Sequence, residues 1–120
     1  MTLVELYLLP KGRITRRTFW LQGVLVFIFI GLVADQLDIL LSAQGNVSDL
    51  AALLLIWPGL MLQIKRWHDR NLSGWWILMW LVPILGWIIA SVEVGFLAGT
   101  PGPNRFGPPQ PPTILESQQI

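Results

Sequence analysis

The residues most capable of chemistry lie in one short polar stretch, residues 65–76 (KRWHDRNLSGWW), between two long apolar runs. It contains the only histidine, His68, followed directly by Asp69. A histidine oriented by a carboxylate can carry protons near neutral pH. However, adjacent residues on a helix point about 100° apart, so these two are poorly placed to bond each other. The spacing favours a structural ion pair between Asp69 and Arg66, three residues back, or Lys65, four residues back.

The rest of the chain offers little reactive chemistry. A single histidine and no cysteine exclude thiolate sites and a His/Cys metal cluster. No nucleophile stands beside a base, and no glycine-rich phosphate loop follows a strand. We therefore expect no enzymatic activity and no cofactor, because a reacting constellation cannot be assembled from these residues.

Seven of the eight cations fall into two clusters, each next to a long apolar run. Cationic clusters can bind nucleic acid, but cations abutting an apolar helix are the signal of the positive-inside rule. The pattern predicts a cytoplasmic N-terminus and no nucleic-acid partner. Basic pockets between helices on this side bind anionic headgroups or other phosphates. The candidate contacts for such a ligand are Arg13, Arg16, Arg17, Lys65, Arg66, His68 and Arg70.

The composition predicts an all-α membrane protein. Hydrophobic residues make up 53% of the chain and charged residues 12%, against roughly 25% charged residues in soluble domains. Three apolar runs predict a bundle of three transmembrane helices at about 18–41, 49–67 and 74–98. At 1.5 Å per residue they rise about 28–38 Å, close to the roughly 30 Å hydrocarbon core.

Both ends of the chain differ from this apolar body. The first nine residues are apolar except for Glu5, and they predict a short interfacial helix or, equally, a frayed terminus. Nine of the fourteen residues 99–112 are glycine or proline, which predicts a turn-rich or extended tail. We expect one membrane-embedded domain over residues 1–109 and a flexible tail over 110–120.

The third apolar run has two interpretations. A single crossing would place Glu93, the one acid inside a predicted span, near the outer headgroups or Arg105. Because Pro83 and Gly86 lie near the middle of the run, a re-entrant hairpin is the alternative, and it would bring Glu93 to the cytoplasmic cations. We favour the single crossing, since bending the backbone inside the membrane requires burial in protein. The predicted aromatic anchors at the cytoplasmic interface are Trp20, Trp67, Trp75 and Trp76.

Three blocks of the sequence resemble the family known as domain of unknown function 805. They are residues 12–20 (GRITRRTFW), residues 65–69 with 73–76 (KRWHD and SGWW), and residues 99–108 (GTPGPNRFGP). The resemblance implies a multi-pass protein of the bacterial inner membrane and supplies no catalytic residues. The chain departs from the family pattern at Pro10, at Lys65, where an arginine is frequent, at Trp67, where a leucine is frequent, and at residues 108–109, where an acidic residue is missing.

Three function classes follow from these expectations. The first is a structural or partner-binding component of the inner membrane, whose partners are the lipid bilayer and a second copy or another membrane protein. The second is a binder of anionic phospholipid headgroups or phosphate through the basic pocket. The third is a subunit of an oligomeric transporter, because three helices alone rarely enclose a path.

Overall fold

The computed structural model describes residues 2–110. Within that range the chain is helical, and its one β-type contact is an isolated antiparallel bridge between Asn104 and Gly107. The helices are α1 (Leu3–Leu8), α2 (Arg16–Leu41), α3 (Asn46–Asp69), a 3₁₀ helix (Gly74–Leu81) and α4 (Leu85–Phe96). Both α2 and α4 contain a π-helical turn, at Phe19–Val24 and Val92–Phe96 respectively.

Helices α2 and α3 form an antiparallel pair joined by a short loop. Ser42, Gln44 and Gly45 adopt left-handed backbone conformations there. Gly45 has no side chain to cap α3, so Asp38 of α2 supplies the cap: its Oδ1 accepts from Val47 N at 2.8 Å and its Oδ2 from Ser48 N at 3.1 Å. This carboxylate therefore fixes the start of α3 against the end of α2. We call this end of the helix pair, at the loop of residues 42–45, the loop end.

The helix pair is apolar and poorly covered. The two helices are 26 and 24 residues long. In the most apolar 18 residues of each helix, only 6% of α2 and 11% of α3 is buried within the protein. The core helix of a soluble domain would bury such a surface. Both helices are therefore long and apolar enough to cross a membrane, and their side chains face a medium outside the chain.

The third apolar run does not form one helix. The 3₁₀ helix ends at Leu81, and an irregular turn at residues 82–84 leads into α4. Val82 is extended because the helical region is disfavoured for a residue before proline, and Pro83 has no N–H to continue the ladder. The two arms pack against each other, with Trp87 Nε1 donating to Trp80 O at 2.9 Å.

The first arm of this hairpin begins, and the second arm ends, at the same end of the helix pair. Trp76, near the start of the first arm, stacks on Trp67 at 6.3 Å between ring centroids. Trp20 Nε1 donates at 2.6 Å to Gly95 O, near the end of the second arm. Trp20 is in the first turns of α2 and Trp67 is in the last turn of α3, so we call this the base end. The prediction of a third long helix over 74–98 is therefore wrong, and the hairpin is the arrangement found.

Helix α1 packs against α3 at the base end. It begins with a capping box, in which Thr2 and Glu5 bond each other's backbone N–H, so the predicted N-terminal helix is present. Tyr7 Oη donates to Gln22 O at 2.6 Å. Partial burial there raises the pKa of Tyr7 above its ordinary value of 10.0.

The buried residues are also concentrated at the base end. One apolar cluster contains Leu6, Ile14 and Leu62, and a second contains Trp67, Ala90 and Val94. Between them lies a group of buried charged residues. The best-packed part of the described chain therefore surrounds charges rather than a purely apolar core.

Candidate functional site

Asp69 is the centre of the buried charged group. It is the last residue of α3 and only 4% exposed. Its Oδ1 accepts from Nε of Arg13 at 3.0 Å, and its Oδ2 accepts from Nη1 of Arg66 at 2.6 Å. We call these three residues the Asp69 cluster. The i, i+3 pairing of Arg66 with Asp69 is the one expected from helical spacing, whereas the bond to Arg13 joins residues 56 positions apart.

Arg13 connects the segment before α2 to the end of the chain. Besides Asp69, it donates from Nη1 to Gly102 O at 2.7 Å and from Nη2 to Thr100 O at 2.6 Å. Its exposed fraction is 2%. Every guanidinium nitrogen of Arg13 is thus bonded to a protein oxygen.

Arg66 holds the end of the hairpin in the same way. Its Nε donates to Val94 O at 2.6 Å and its Nη2 to Leu97 O at 2.6 Å, while Nη1 also reaches Ile14 O at 3.0 Å. The last carbonyls of a helix have no partner within the helix, and a cation there also matches the helix dipole. Arg66 is completely buried and caps the C-terminal end of α4.

The burial of these charges is tolerated because their hydrogen bonds are complete. Removing two guanidinium groups and a carboxylate from water is costly unless each is paired and fully bonded. Lys65, also buried, donates from Nζ to Leu6 O at the end of α1. Three of the predicted anion contacts, Arg13, Lys65 and Arg66, therefore direct their charge into the protein.

His68 takes part in a different contact from the one that its neighbour Asp69 suggests. Its Nδ1 lies 3.0 Å from Gly12 O, and its ring stacks on Phe106 with centroids 4.0 Å apart and planes 9° apart. Asn104 Nδ2 donates to His68 O at 2.9 Å. His68 is thus covered by the glycine- and proline-rich end of the chain.

That covering segment, residues 99–110, is named the tail strap here. Thr100 N donates to Asp69 O at 2.7 Å, and Thr15 N donates to the side chain of Gln110 at 2.9 Å. The composition predicted turns, but it gave no sign that the strap would close over Asp69. The rest of the predicted flexible tail, residues 111–120, lies outside the described residues.

The other predicted cations lie at the surface of the base end. Arg16 and Arg17 are exposed, and Arg16 Nη1 donates to Phe96 O at 2.9 Å.

Arg70 is partly exposed and its Nε donates to Glu93 Oε2 at 2.8 Å. Glu93 therefore bonds Arg70, a cation of the base end, rather than Arg105, as the hairpin alternative predicts. A partly exposed pair of this kind contributes about 0–1 kcal/mol.

The four predicted aromatic anchors divide into two groups. Trp20, Trp75 and Trp76 are exposed, as an interfacial anchor must be. Trp67 is only 1% exposed and packs between Ala90 and Val94 of the hairpin, so it belongs to the core. Its indole N–H has no hydrogen-bond partner among residues 2–110.

Comparison with known proteins gives a family for this arrangement. The model of a family described as a protein of unknown function, DUF805, matches residues 7–108. That range contains the Asp69 cluster, the hairpin and most of the tail strap. The chain belongs to the DUF805 family.

Two of the three relatives described here have names that state a location. This DUF805 protein is 38% identical to inner membrane protein YhaH of Escherichia coli (strain K12), over 82% of this chain and 84% of that protein. It is 31% identical to inner membrane protein YhaI of the same strain, over 89% and 90%. A third relative, the uncharacterized protein YiiR, is 30% identical over 89% of both chains. No solved structure matches the chain.

Proposed function

We propose that this protein is a structural or partner-binding component of the bacterial inner membrane, without enzymatic activity. In the proposed arrangement α2 and α3 cross the bilayer, and the hairpin of residues 74–96 enters it from the cytoplasmic side. The observation that carries the proposal is the closed Asp69 cluster. Its charges are used to hold segments of the chain together, so the surface that α2, α3 and the hairpin offer to their surroundings is mainly apolar.

The charges support the proposed orientation. The base end carries all eight cations. Lys11 and Arg13 precede α2, Arg16 and Arg17 stand in its first turn, and Lys65, Arg66 and Arg70 lie at the end of α3. Arg105 joins them, because its Nη2 donates to Asn71 O. The loop end is bordered by Asp35, Asp38 and Asp49 and has no cation. The positive-inside rule then assigns the base end to the cytoplasm. Because the hairpin returns to the base end, Gln110 would also be cytoplasmic.

The hairpin supports a partner-binding role. Its 3₁₀ arm of 8 residues rises about 16 Å, and α4, with 12 residues, rises about 18 Å, so the turn would lie roughly halfway through the hydrocarbon. Leu81 there is 77% exposed, and Ile84 has a φ of 63°. Irregular backbone is disfavoured against lipid at this depth and is normally buried in protein. A second copy or another membrane protein covering the turn would meet that requirement.

Cysteine labelling should show on which side of the membrane the base end and the loop end lie. The chain has no cysteine, so single substitutions at Lys11, Asn46 and Ala98 give unambiguous sites. In intact spheroplasts, a membrane-impermeant maleimide should label Asn46→Cys alone, and the other two only after permeabilisation. Labelling of Ala98→Cys from outside would mean that the third run crosses the bilayer, and labelling of Lys11→Cys from outside would reverse the orientation.

Photocrosslinking should test the partner at the turn. A photoreactive amino acid at Leu81 should give a discrete protein adduct in membranes, because the exposed turn is covered by protein in the proposal. The matched control is Leu40, which is also 77% exposed but lies near the loop end, where a continuous helix can face lipid. Adducts to lipid alone at both positions would overturn the partner-binding role, and mass spectrometry of the adduct would separate a second copy from another protein.

A further inference from the structure

A groove opens on the side of the molecule between α2, α3 and the hairpin. Its volume is about 410 Å³, within the range of roughly 300–1,000 Å³ found for ligand sites. Four of the eight residues that line it are aromatic, and two, Gln63 and Ser91, have polar side chains. The wall residues used below are Phe19, Trp20, Gln63, Trp80, Ser91 and Phe96.

The wall of the groove offers a ligand mainly apolar surface. Trp20 Nε1 donates to Gly95 O and Trp80 Nε1 donates to Gln63 Oε1, each at 2.6 Å. Both indole N–H groups are therefore used within the protein. A ligand inside the groove would gain chiefly from burying hydrocarbon against the rings. The chemistry of the wall thus suits an alkyl chain better than a polar solute.

The mouth of the groove is cationic. Arg16 stands in the first turn of α2, immediately before the wall residues Phe19 and Trp20. It is tied to the rim because its Nη1 donates to the carbonyl of Phe96, another wall residue. Arg16 is exposed, unlike the buried Arg13. Guanidinium groups match phosphate geometry and can bond it through two N–H groups.

We propose that this groove holds one acyl chain of an anionic phospholipid, whose phosphate contacts Arg16 at the rim. Apolar depth behind a cationic rim is complementary to a molecule with a hydrocarbon chain and a negative head. The inference rests on the proposed membrane location, which puts the rim at the cytoplasmic headgroup level. It moves anion recognition away from Arg13, Lys65 and Arg66, whose charges are engaged inside the protein.

The test is native mass spectrometry of detergent-purified, delipidated protein titrated with phosphatidylglycerol. One bound lipid is expected for the wild type and for Lys11→Gln, a control that removes an exposed cation outside the groove. Binding to Arg16→Gln should be at least fivefold weaker. Ser91→Phe, which fills the groove and leaves every cation in place, should also lose the lipid, and a thermal melt without lipid checks that each variant is folded.

Several results would overturn this inference. The first is that phosphatidylcholine with the same acyl chains binds as tightly as phosphatidylglycerol. The second is that inorganic phosphate occupies the protein to the same extent as the lipid. The third is that neither the arginine variant nor Ser91→Phe changes the affinity for phosphatidylglycerol. The cysteine-labelling experiment is independent of lipid affinity. If it supports the proposed topology while phosphatidylglycerol does not bind, the lipid site alone fails and the proposed function stands.

Discussion

Asp69→Asn should destabilise the protein by about 3–5 kcal/mol, a large part of the stability of a typical domain. The substitution keeps the size and shape of the side chain and removes its charge. Arg13 and Arg66 would then be buried with no carboxylate between them, since each is at most 2% exposed. An unpaired buried charge is much more costly than the loss of a surface ion pair.

The effect should be measured as the thermal midpoint of purified protein in one detergent, together with the amount recovered from membranes. Asp49→Asn is the matched control, because it removes the same charge from an exposed position in the first turn of α3. We expect that control to stay within about 1 kcal/mol of wild type. Equal midpoints for the two variants would show that Asp69 does not hold the buried arginines.

Local periodicity explains which part of the Asp69 cluster could be predicted. Residues three apart on a helix lie on one face, so the pair of Arg66 with Asp69 follows from spacing once residues 65–69 are taken as helical. Arg13 joins the same carboxylate across 56 positions. Its neighbours suggested only a basic cluster before a membrane span. A partner so distant in sequence depends on how the segments pack.

The same limit applies to the predicted anion contacts. A cation near an apolar run can point to headgroups or turn back to backbone carbonyls, and the sequence pattern is the same in both cases. Arg66 turns inward because the π-helical end of α4 presents unpaired carbonyls beside it. Arg16 lies on the outer side of α2 and stays exposed. The packing of the hairpin, rather than composition, separates the two.

The third apolar run shows how length can mislead. Residues 74–98 have enough apolar length to cross, and the cost of bending a backbone in lipid favoured a straight helix. Pro83 was the contrary signal. Its effect prevails because both arms are fastened at the base end, the first by stacking of Trp76 on Trp67 and the second by Arg66 and Arg70. These contacts hold both arms at one end of the helix pair, and an isolated segment would have none of them.

Gly99→Ala should detach the tail strap from the Asp69 cluster. A Cβ at Gly99 would overlap the carboxylate of Asp69. The carboxylate cannot retreat easily, because Arg13 and Arg66 hold both of its oxygens. The backbone of Gly99 is not in the left-handed region, so alanine meets a conflict of space and not of conformation. We expect a loss of about 1–3 kcal/mol, the range for overpacking a tight site.

Two measurements should separate a detached strap from general destabilisation. The thermal midpoint should fall, and trypsin should cut after the exposed Arg105 faster than in wild type well below that midpoint. Gly31→Ala is the control, because a Cβ there meets nothing within 4 Å, and alanine in a helix should stabilise by about 0.5–1 kcal/mol. If Gly99→Ala matches this control in both measurements, the strap is not packed on Asp69, and the buried arginines must be shielded by something else.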